Sequence, residues 1–595
     1  MARRRTDARI RSAIRHGLTA LALVALVACG APTSPDPDPE LAISGIEPDL
    51  ALPGQEVTVT GTGFAEGQIV AFDGTEATVV SQTATSVVVI VPDAYGYPVV
   101  SVDDVSVERL LFVGSAYAGP ATLTDVQDAL DGLSEGAALR IGAGTYTGTD
   151  LVVDNRQLYG AGAGTVLEAS GDVTVLARSS NLAVLAELAV EAVTVELARG
   201  RLSTAAVESS PSAGAILLAD VDADVDALIM MAGTHLDVSL QNVSATAAAL
   251  VLSGPGASVA IDGGDVTAGV VQLGALTDLR IDGAALTTVV GSLILETTGS
   301  IEVRDSTLTS ADAIVFDGVG DMTVEDAQLT ALASIVFDAS GGAVALGRTG
   351  AVAADLVVVA QRGISVDEVV ADTTAGSVVL QSVVGDIVVS DSTVTPETSF
   401  VLTSPQGSLD LRDTDVTTAA NSIELQALGR ITIADASLQS ALDLVAESVE
   451  AGEVVVVRSL LTSVSNMVIQ GAFSPFAGAN GTVHLEDNSA LTAGAGFVVV
   501  GRTSDVVLVD NGPIEGDSIV VQSAAAHVTL RNNERFESAT IVVVQAAGAG
   551  GRLTVVDNLF IADDGAGTII LETLAGALTE SGNVFTGTTS FPSNE

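Results

Sequence analysis

Residues that could carry out chemistry are few and scattered along this chain. Two adjacent carboxylates, Asp563 and Asp564, could act as a general acid and base, and Arg531 with Arg535 could bind an acidic sugar. Both groups also fit plainer roles. The first fits a solvated turn, and the second fits an exposed turn with an ion pair to Glu534 inside the loop. The sequence therefore predicts no catalytic residue and no cofactor.

Metal ligands at productive spacing are also missing from the sequence. The three histidines after residue 30 are His235, His484 and His527, whereas zinc sites need ligands grouped at short spacings. Asp and Asn residues that follow predicted strands could offer oxygen ligands to Ca²⁺. However, no calcium-binding repeat of the Gly-Gly-x-Gly-x-Asp type occurs in the sequence. Asx residues that stabilise turns are the favoured interpretation, and no metal site is predicted.

Cys29 is the only cysteine and stands at the end of an N-terminal targeting pattern. Six arginines between residues 3 and 15 precede an apolar run from Leu18 to Ala28, an order that is typical of a secretory signal. The run has about half of the ~20 residues that a membrane-spanning helix needs. Residues 26–29, Leu-Val-Ala-Cys, resemble the lipobox of bacterial lipoproteins.

The lipobox resemblance implies a lipid anchor and a location. Residues 1–28 would be a signal peptide, the Cys29 thiol would carry the lipid, and residues 29–40 would form an extended Pro-rich stalk. No Asp directly follows Cys29 to argue for retention in the inner membrane. We therefore expect a cell-envelope protein held in the outer membrane, facing the periplasm or the outside, and touching the membrane only through its N-terminal lipid.

The charge of the chain excludes one class of partner. The formal net charge is −51, and every basic side chain other than histidine is an arginine. Nucleic-acid binding rests on cationic side chains that neutralise phosphates, so such a surface repels nucleic acid. Strong net charge also keeps a chain soluble and separate from its copies, which favours a monomer.

Short alternating strands separated by Gly and Pro turns cover residues 41–114. The segment resembles an IPT/TIG domain in Ile46-Glu47-Pro48, in the turn Gly61-Thr62-Gly63-Phe64, in Phe72-Asp73-Gly74 and in the strand end Val91-Pro92. That resemblance implies an immunoglobulin-like sandwich. Domains of this family bind partners or act as spacers, and the fold does not choose between the two.

The next segment, residues 117–590, is expected to be a parallel β-helix that starts behind a capping helix at 124–133. Thr124 and Gln127 fit a capping box for this helix. Three stretches resemble the opening coils of pectin-lyase-like proteins: Leu139-Arg140-Ile141, Gly142-Ala143-Gly144-Thr145-Tyr146 and Leu158-Tyr159-Gly160-Ala161-Gly162. The resemblance implies a right-handed parallel β-helix and does not specify an activity.

An internal repeat continues to the end of this segment. Strand-like stretches end at Asp305, Asp326, Asp391, Asp413 and Asp435, which recur every 21 or 22 residues within each group, and later stretches end at asparagines 22 to 25 residues apart: Asn488, Asn511, Asn533, Asn558 and Asn583. Stacked at one corner, these side chains could form a ladder. With a second recurring strand in each period, the repeat predicts two strands a coil and roughly 20 coils.

The period lengthens at one place, around Phe473 and Phe476, and predicts a protruding loop that could contact a partner. Taken together, the sequence predicts an all-β protein with an immunoglobulin-like sandwich followed by a long right-handed parallel β-helix. A passive binding, adhesive or structural role is favoured, with a polysaccharide or an envelope or host surface protein as the partner. The alternative is a polysaccharide lyase or hydrolase of the pectin-lyase-like superfamily. The ligand, the membrane orientation, calcium binding and a novel glycan site stay open.

Overall fold

The structure is a computed structural model. It describes residues 40–591 except 109, 162–163, 177–183, 187, 193, 199–200, 204–205, 210–215, 220–221, 226–227, 232–237, 255–257, 276, 450–451, 472–481, 564–566 and 575. Within this part of the chain the protein is almost entirely β-structure, and the predicted all-β fold of a sandwich followed by a solenoid is confirmed.

Two antiparallel four-stranded sheets form the sandwich, with strand orders β1-β3-β7-β6 and β5-β4-β8-β9, and β10 pairs with β2. The strands are β1 (Ala42–Glu47), β2 (Leu50–Ala51), β3 (Glu56–Thr62), β4 (Val70–Phe72), β5 (Thr75–Glu76), β6 (Thr78–Gln82), β7 (Ser86–Ile90), β8 (Val100–Val102), β9 (Val105–Val107) and β10 (Phe112–Val113). Phe64 and Phe72 are buried between the sheets. Asp73 and Gly74 both have positive φ, as a tight type I′ hairpin turn requires between β4 and β5.

The chain crosses the sandwich from one end to the other. Strand β1 begins opposite Thr62 and ends opposite Thr58 of β3. The last strand, β10, lies beyond that far end, where the Phe112 amide donates to the Asp49 carbonyl at 2.8 Å. Ala42, at the start of β1, therefore lies at the end of the sandwich opposite to the one from which the solenoid continues.

Helix α1 (Leu123–Asp131) closes the first coil and corrects one prediction. Its N-cap is Thr122, whose hydroxyl accepts from the Asp125 amide at 3.2 Å and bonds the Asp125 carboxylate. The predicted cap, Thr124, lies inside the helix and is exposed. The helix begins one residue earlier than predicted because Leu123 is drawn into the core with Val126 and Leu130.

Each coil of the solenoid contributes strands to three faces, which we name first, second and third in chain order. The first face is a 20-stranded parallel sheet. Its strands are Leu151–Asp154, Asp172–Leu176, Thr194–Ala198, Ile216–Ala219, Val238–Gln241, Val259–Asp262, Leu279–Asp282, Ile301–Arg304, Met322–Glu325, Ala343–Gly347, Gly363–Asp367, Ile387–Ser390, Leu409–Arg412, Ile431–Ala434, Val454–Val457, Val483–Glu486, Val506–Val509, Val528–Arg531, Leu553–Val556 and Leu578–Ser581.

The second face follows the first around one corner and begins with β11 (Ser115–Tyr117), which leaves the sandwich and pairs in parallel with Ala138–Ile141. The other second-face strands are Gln157–Tyr159, Val184–Ala186, Arg201–Ser203, Asp222–Val225, Ala285–Thr288, Thr307–Ser310, Gln328–Ala331, Gly350–Ala353, Val370–Thr373, Thr393–Pro396, Asp415–Thr417, Ser437–Ser440, Leu460–Ser463, Ala490–Ala493, Leu559–Ala562 and Val584–Thr586.

The third face completes the coil. Its strands are Gly144–Gly148, Thr165–Ala169, Ala189–Ala192, Ala206–Ser209, Leu228–Met231, Leu293–Thr297, Ile314–Gly318, Ser334–Ala339, Asp355–Ala360, Val378–Ser382, Phe400–Ser404, Ile423–Ala427, Leu444–Ser448, Met467–Gly471, Gly496–Gly501, Thr568–Thr573 and Thr588–Ser590. Four longer strands run across the second and third faces without a break: Ser244–Gly254, Asp265–Ala275, Pro513–Ser523 and Arg535–Ala546.

Each coil contributes three strands, whereas the sequence predicted two, so that prediction is corrected. The second-face strands are only three or four residues long in most coils and join the first-face strand within a few residues. In the sequence they read as the end of a turn. Their alternation is nevertheless regular, since Leu308 and Leu329 point inward at full burial while their neighbours face out. Among the side chains that the structure describes, the three faces enclose one aliphatic core, in which Phe316 stacks on Phe337 at 4.2 Å between ring centroids.

Candidate functional site

A buried asparagine ladder occupies the corner between the first and second faces in the C-terminal coils. Asn488, Asn511, Asn533 and Asn558 are only 1–3 % exposed. Each donates Nδ2–H to the Oδ1 atom of the asparagine in the next coil, at 2.8–3.1 Å, and the last acceptor is Asn583. The ladder that the spacing of the five asparagines predicted from the sequence is therefore present in the structure.

Main-chain groups complete the hydrogen bonding of this ladder. The Asn511 amide N–H donates to Asn533 Oδ1 at 3.3 Å, and Asn511 Nδ2 also donates to the Leu485 carbonyl at 3.0 Å. The other interior asparagines repeat both bonds. The side-chain amides of Asn511, Asn533 and Asn558 thus donate and accept at least two hydrogen bonds each, which is what a buried amide needs to avoid a desolvation penalty. The ladder is a structural device that holds the corner.

The sequence placed the aspartates and the asparagines in one column, and the structure separates them by one residue. Asp305, Asp326, Asp391, Asp413 and Asp435 have φ between 46° and 54°, and they are exposed. The equivalent left-handed residues of the later coils are Asp487, Asp510, Asn532 and Asp557, each directly before a ladder asparagine. Asp and Asn suit this position because they tolerate left-handed backbone. The ladder position is the next one, which points inward.

Hydroxyl residues take the ladder position in five of the earlier coils. Ser306, Thr349, Ser392, Thr414 and Ser459 are 1–3 % exposed there. Their hydroxyls donate to the carbonyl two residues before, as Thr414 does to Arg412 at 2.7 Å. The same hydroxyls also bond the preceding coil, since Ser392 accepts from the Val369 amide at 3.1 Å and Thr414 donates to the Val389 carbonyl at 3.3 Å. The sequence alone did not show that these residues and the asparagines share one position.

Two ion pairs lock the exposed side of the same corner. Arg348 contacts Asp326 through Nε at 2.6 Å and Nη2 at 2.8 Å, and Arg458 holds Asp435 in the same two-point way. Hydrogen bonds from the two guanidinium groups lower the pKa of the Asp326 and Asp435 carboxyls. Because the partners are exposed, these pairs orient the corner and contribute little to the free energy of unfolding.

The arginine pair that could bind a sugar is arranged differently from the prediction. Arg535 forms ion pairs with Glu515 of the neighbouring coil and with Glu537, and not with Glu534 inside its own loop. The reason is that Arg535 begins a strand, so its side chain lies across the stacked coils. Arg531 ends the preceding first-face strand and is exposed. The two arginines therefore do not converge on one ligand.

The remaining candidates of the sequence are dispersed. His484 Nε2 lies 2.8 Å from Glu486, and His527 Nδ1 accepts from the Arg552 amide at 2.9 Å. Asp563 is described, whereas Asp564 lies outside the described residues. His235, the lipid-attachment residue Cys29 and the loop residues Phe473 and Phe476 also lie outside them. In the described part of the chain, no group of three or more His, Cys, Asp or Glu side chains could hold a metal ion.

Two ordered columns of outward side chains were missed by the sequence analysis. The second face carries threonines in register, interrupted by Val352, Asp372 and Gln439: Thr246, Thr267, Thr287, Thr309, Thr330, Thr395, Thr417, Thr462 and Thr492. The third face carries half-buried aliphatic residues, interrupted by Glu424: Ile294, Val315, Val336, Val357, Val379, Val401, Val445, Val468, Val498, Val520, Val543 and Ile570. These are extended surfaces, suited to contact along a length.

Two shallow hollows lie on the described surface. One lies beside the ladder near the last coils and is lined by Asn532, Glu534, Asp557 and Val584 among others. Another lies at the N-terminal end of the sandwich, where Phe64, Ile69, Val79 and Gln82 surround it. Neither brings an acid and a base together with a nucleophile. No helix among the described residues is long and apolar enough to cross a membrane.

Comparison with known families identifies the first domain. Residues 41–116 match the family of IPT/TIG domains. This segment is an IPT/TIG domain. The comparison with curated proteins gave no match. The IPT/TIG domain extends two residues beyond the expected boundary at 114, into β11, so the domain and the first coil share a strand.

Proposed function

We propose that this protein is a lipid-anchored component of the cell envelope, in which the solenoid is a stiff rod with a passive binding, adhesive or structural role. The observation that carries the proposal is the in-line path of the chain. The chain reaches the IPT/TIG domain at one end, leaves it at the other and continues directly into the solenoid. An anchor before residue 40 would therefore place the last coils farthest from the membrane.

The dimensions of the solenoid support a spacer. Its first face has 20 strands, and strands stack about 4.8 Å apart, so the rod is roughly 90–95 Å long. The described side chains of the stack form one aliphatic core. A structure of this kind bends little, because each coil packs on its neighbours over three faces.

Contacts at the junction between the two domains support a rod in which the IPT/TIG domain is held rigidly on the solenoid. Tyr97 and Phe112 of the IPT/TIG domain pack edge-on against Tyr159 of the solenoid, with ring centroids 5.6 and 5.3 Å away. The Arg140 guanidinium lies 5.9 Å from the centroids of Tyr97 and Phe112. Aromatic and cation–π contacts of this geometry add to the shared strand pairing of β11. The domain is thus fixed on the first coil.

The proposed lipid anchor is supported by the lipobox resemblance of the sequence at Cys29. Lipid labelling tests it directly. Radiolabelled palmitate should label the wild-type chain in a bacterial host and should not label the Cys29→Ala variant. Ser34→Ala, in the Pro-rich segment that follows, is the matched control and should keep the label. Labelling of Cys29→Ala equal to that of the wild type would reject the lipid anchor.

The alternative is a polysaccharide lyase or hydrolase, which the pectin-lyase-like resemblance keeps open. Purified protein should be incubated with acidic and neutral polysaccharides, with and without Ca²⁺, and the products separated by mass. A passive protein releases no fragments under any of these conditions. Reproducible fragments, lost when the protein is heat-denatured first, would replace the proposed role with catalysis.

A further inference from the structure

The last described coil differs from the coil before it at the positions that face the core. In the preceding coil, Leu553, Val555, Phe560 and Ile569 point inward and are fully buried. The register assigns Glu580 to the position above Val555 and Thr589 to the position above Ile569. Two apolar core positions therefore become polar in one coil, while Leu578 and Phe585 continue the columns of Leu553 and Phe560.

The three strands of that coil are sheet edges. Leu578–Ser581, Val584–Thr586 and Thr588–Ser590 each pair on one side only among the described strands. Leu578, Val584 and Phe591 are 39–58 % exposed at this end. Unpaired strand edges beside exposed apolar side chains are templates for pairing with another chain. A charge at an inward position opposes such pairing, because pairing would bury it without a partner of opposite sign.

The opposite end of the solenoid is covered. Helix α1 packs Leu123, Val126 and Leu130 onto the core of the first coils, and the IPT/TIG domain lies against Tyr159 and Arg140. Stacking of the last coil on the first coil of another copy is therefore blocked. Among the described coils, the last coil can still meet the same coil of a second copy, which would give a closed two-fold pair and no fibre.

We propose that the last described coil is a protective cap, in which Glu580 and Thr589 keep the far end of the solenoid from pairing with the same end of a second copy. Glu580 is fixed there by the Asn583 amide, whose Nδ2 donates to its Oε1 at 3.0 Å. Pairing would bring two Glu580 carboxylates into one dry interface, where like charges repel strongly. This inference goes beyond the proposed function and does not depend on the lipid anchor.

The test restores the apolar column and measures the mass of the particle. A Glu580→Val, Thr589→Ile double variant copies the residues of the preceding coil. Its control, Thr579→Val with Thr588→Ile, adds similar apolar groups at outward positions of the same strands. Light scattering over a wide range of protein concentration should show a monomer for the wild type and for the control, and a doubled mass for the inward variant.

Electron microscopy supplies the second measurement, since a tip-to-tip pair should be a rod of doubled length with an IPT/TIG domain at each outer end. A wild-type chain that already pairs, an inward variant that melts cooperatively and stays monomeric, or a control that pairs equally well would each overturn the proposal. Should the double variant fail to fold, Glu580→Val alone decides by the same two measurements.

Discussion

At the scale of single residues, two neighbouring positions at one corner have opposite demands. The first has left-handed backbone and faces water, so Asp and Asn dominate it, and the second is buried. Asn533 illustrates the second position, because it accepts from Asn511 and donates to Asn558 and to the Leu508 carbonyl. Removing such an amide leaves several buried groups without a hydrogen-bond partner at once. Changing its exposed neighbour leaves no buried group without a partner.

Replacing Asn533 by Ala should therefore destabilise the solenoid by at least about 2 kcal/mol, since each unsatisfied buried group costs ~1–3 kcal/mol. The matched control is Asn532→Asp, which introduces the residue that Asp510 and Asp557 already supply at the left-handed position and should change the free energy of unfolding by less than about 0.5 kcal/mol. Urea unfolding measures both. Equal midpoints for the two variants would contradict the structural role of the ladder.

Inward and outward residues of one strand give a second prediction at this scale. Leu411 and Ile433 are fully buried, while Asp410 and Thr432, one residue earlier on the same strands, are half-buried and face outward. Leu411→Asp or Ile433→Asp would bury a charge without a partner and cost several kcal/mol. Asp410→Ala and Thr432→Ala should be close to neutral. Thermal melting that shifts equally for both classes would refute the register.

At the scale of elements, the helix that closes the first coil depends on a cap that the sequence misplaced by two residues. Thr122→Ala removes the hydroxyl that accepts from the Asp125 amide and should cost about 1 kcal/mol. Thr124→Ala changes an exposed residue inside α1 and should leave the melting temperature nearly unchanged. If the Thr124 variant were the less stable one, the helix would begin where the sequence predicted.

A single coil is the next element, and the register allows one to be removed cleanly. Ser390 pairs with Arg412, and Asp391 and Asp413 are equivalent left-handed corners. Deleting residues 391–412 should leave a folded chain with a rod shorter by about 4.8 Å. Deleting residues 391–401 removes only part of a coil and should abolish cooperative melting. Small-angle scattering of the two variants measures length and compactness together.

At the scale of the whole molecule, charge is distributed unevenly over the three faces. Between residues 260 and 560 the arginines lie on the first face or at the two corners beside it, with Arg535 as the exception. Their ion pairs with acidic neighbours offset part of the repulsion there. In the same range the other two faces carry acidic residues with Arg535 as the one arginine among them, so repulsion between carboxylates is offset least on these two faces.

Salt should therefore stabilise the protein by screening. Because charges more than ~8–10 Å apart are screened at physiological ionic strength, the melting temperature should rise with NaCl. CaCl₂ should act no more strongly than NaCl at matched ionic strength if screening is the whole effect. A saturable rise with Ca²⁺ that chelation reverses would instead reveal specific calcium binding. Scanning calorimetry in the two salts decides between these outcomes.

The sequence by itself determined the fold class, the order of the two domains and the existence of the ladder. These features follow from local rules: alternation of apolar residues sets the inward face of each strand, and a fixed period stacks equivalent residues. The turns at Phe64 and at Asp73-Gly74 were predicted for the same reason, since turn chemistry depends on a few adjacent residues. The left-handed corner was recognised as an Asx position because φ is a local property.

Only the tertiary structure decided which of two adjacent residues turns inward at each corner. It also decided the third strand of every coil, the partner of Arg535, the N-cap at Thr122 and the polar residues that face the core in the last coil. Each of these depends on the neighbour that a coil stacks against, and that neighbour is set by register across coils. A one-residue shift in register exchanges the buried and exposed sides of a strand, and local sequence carries too little information to fix it.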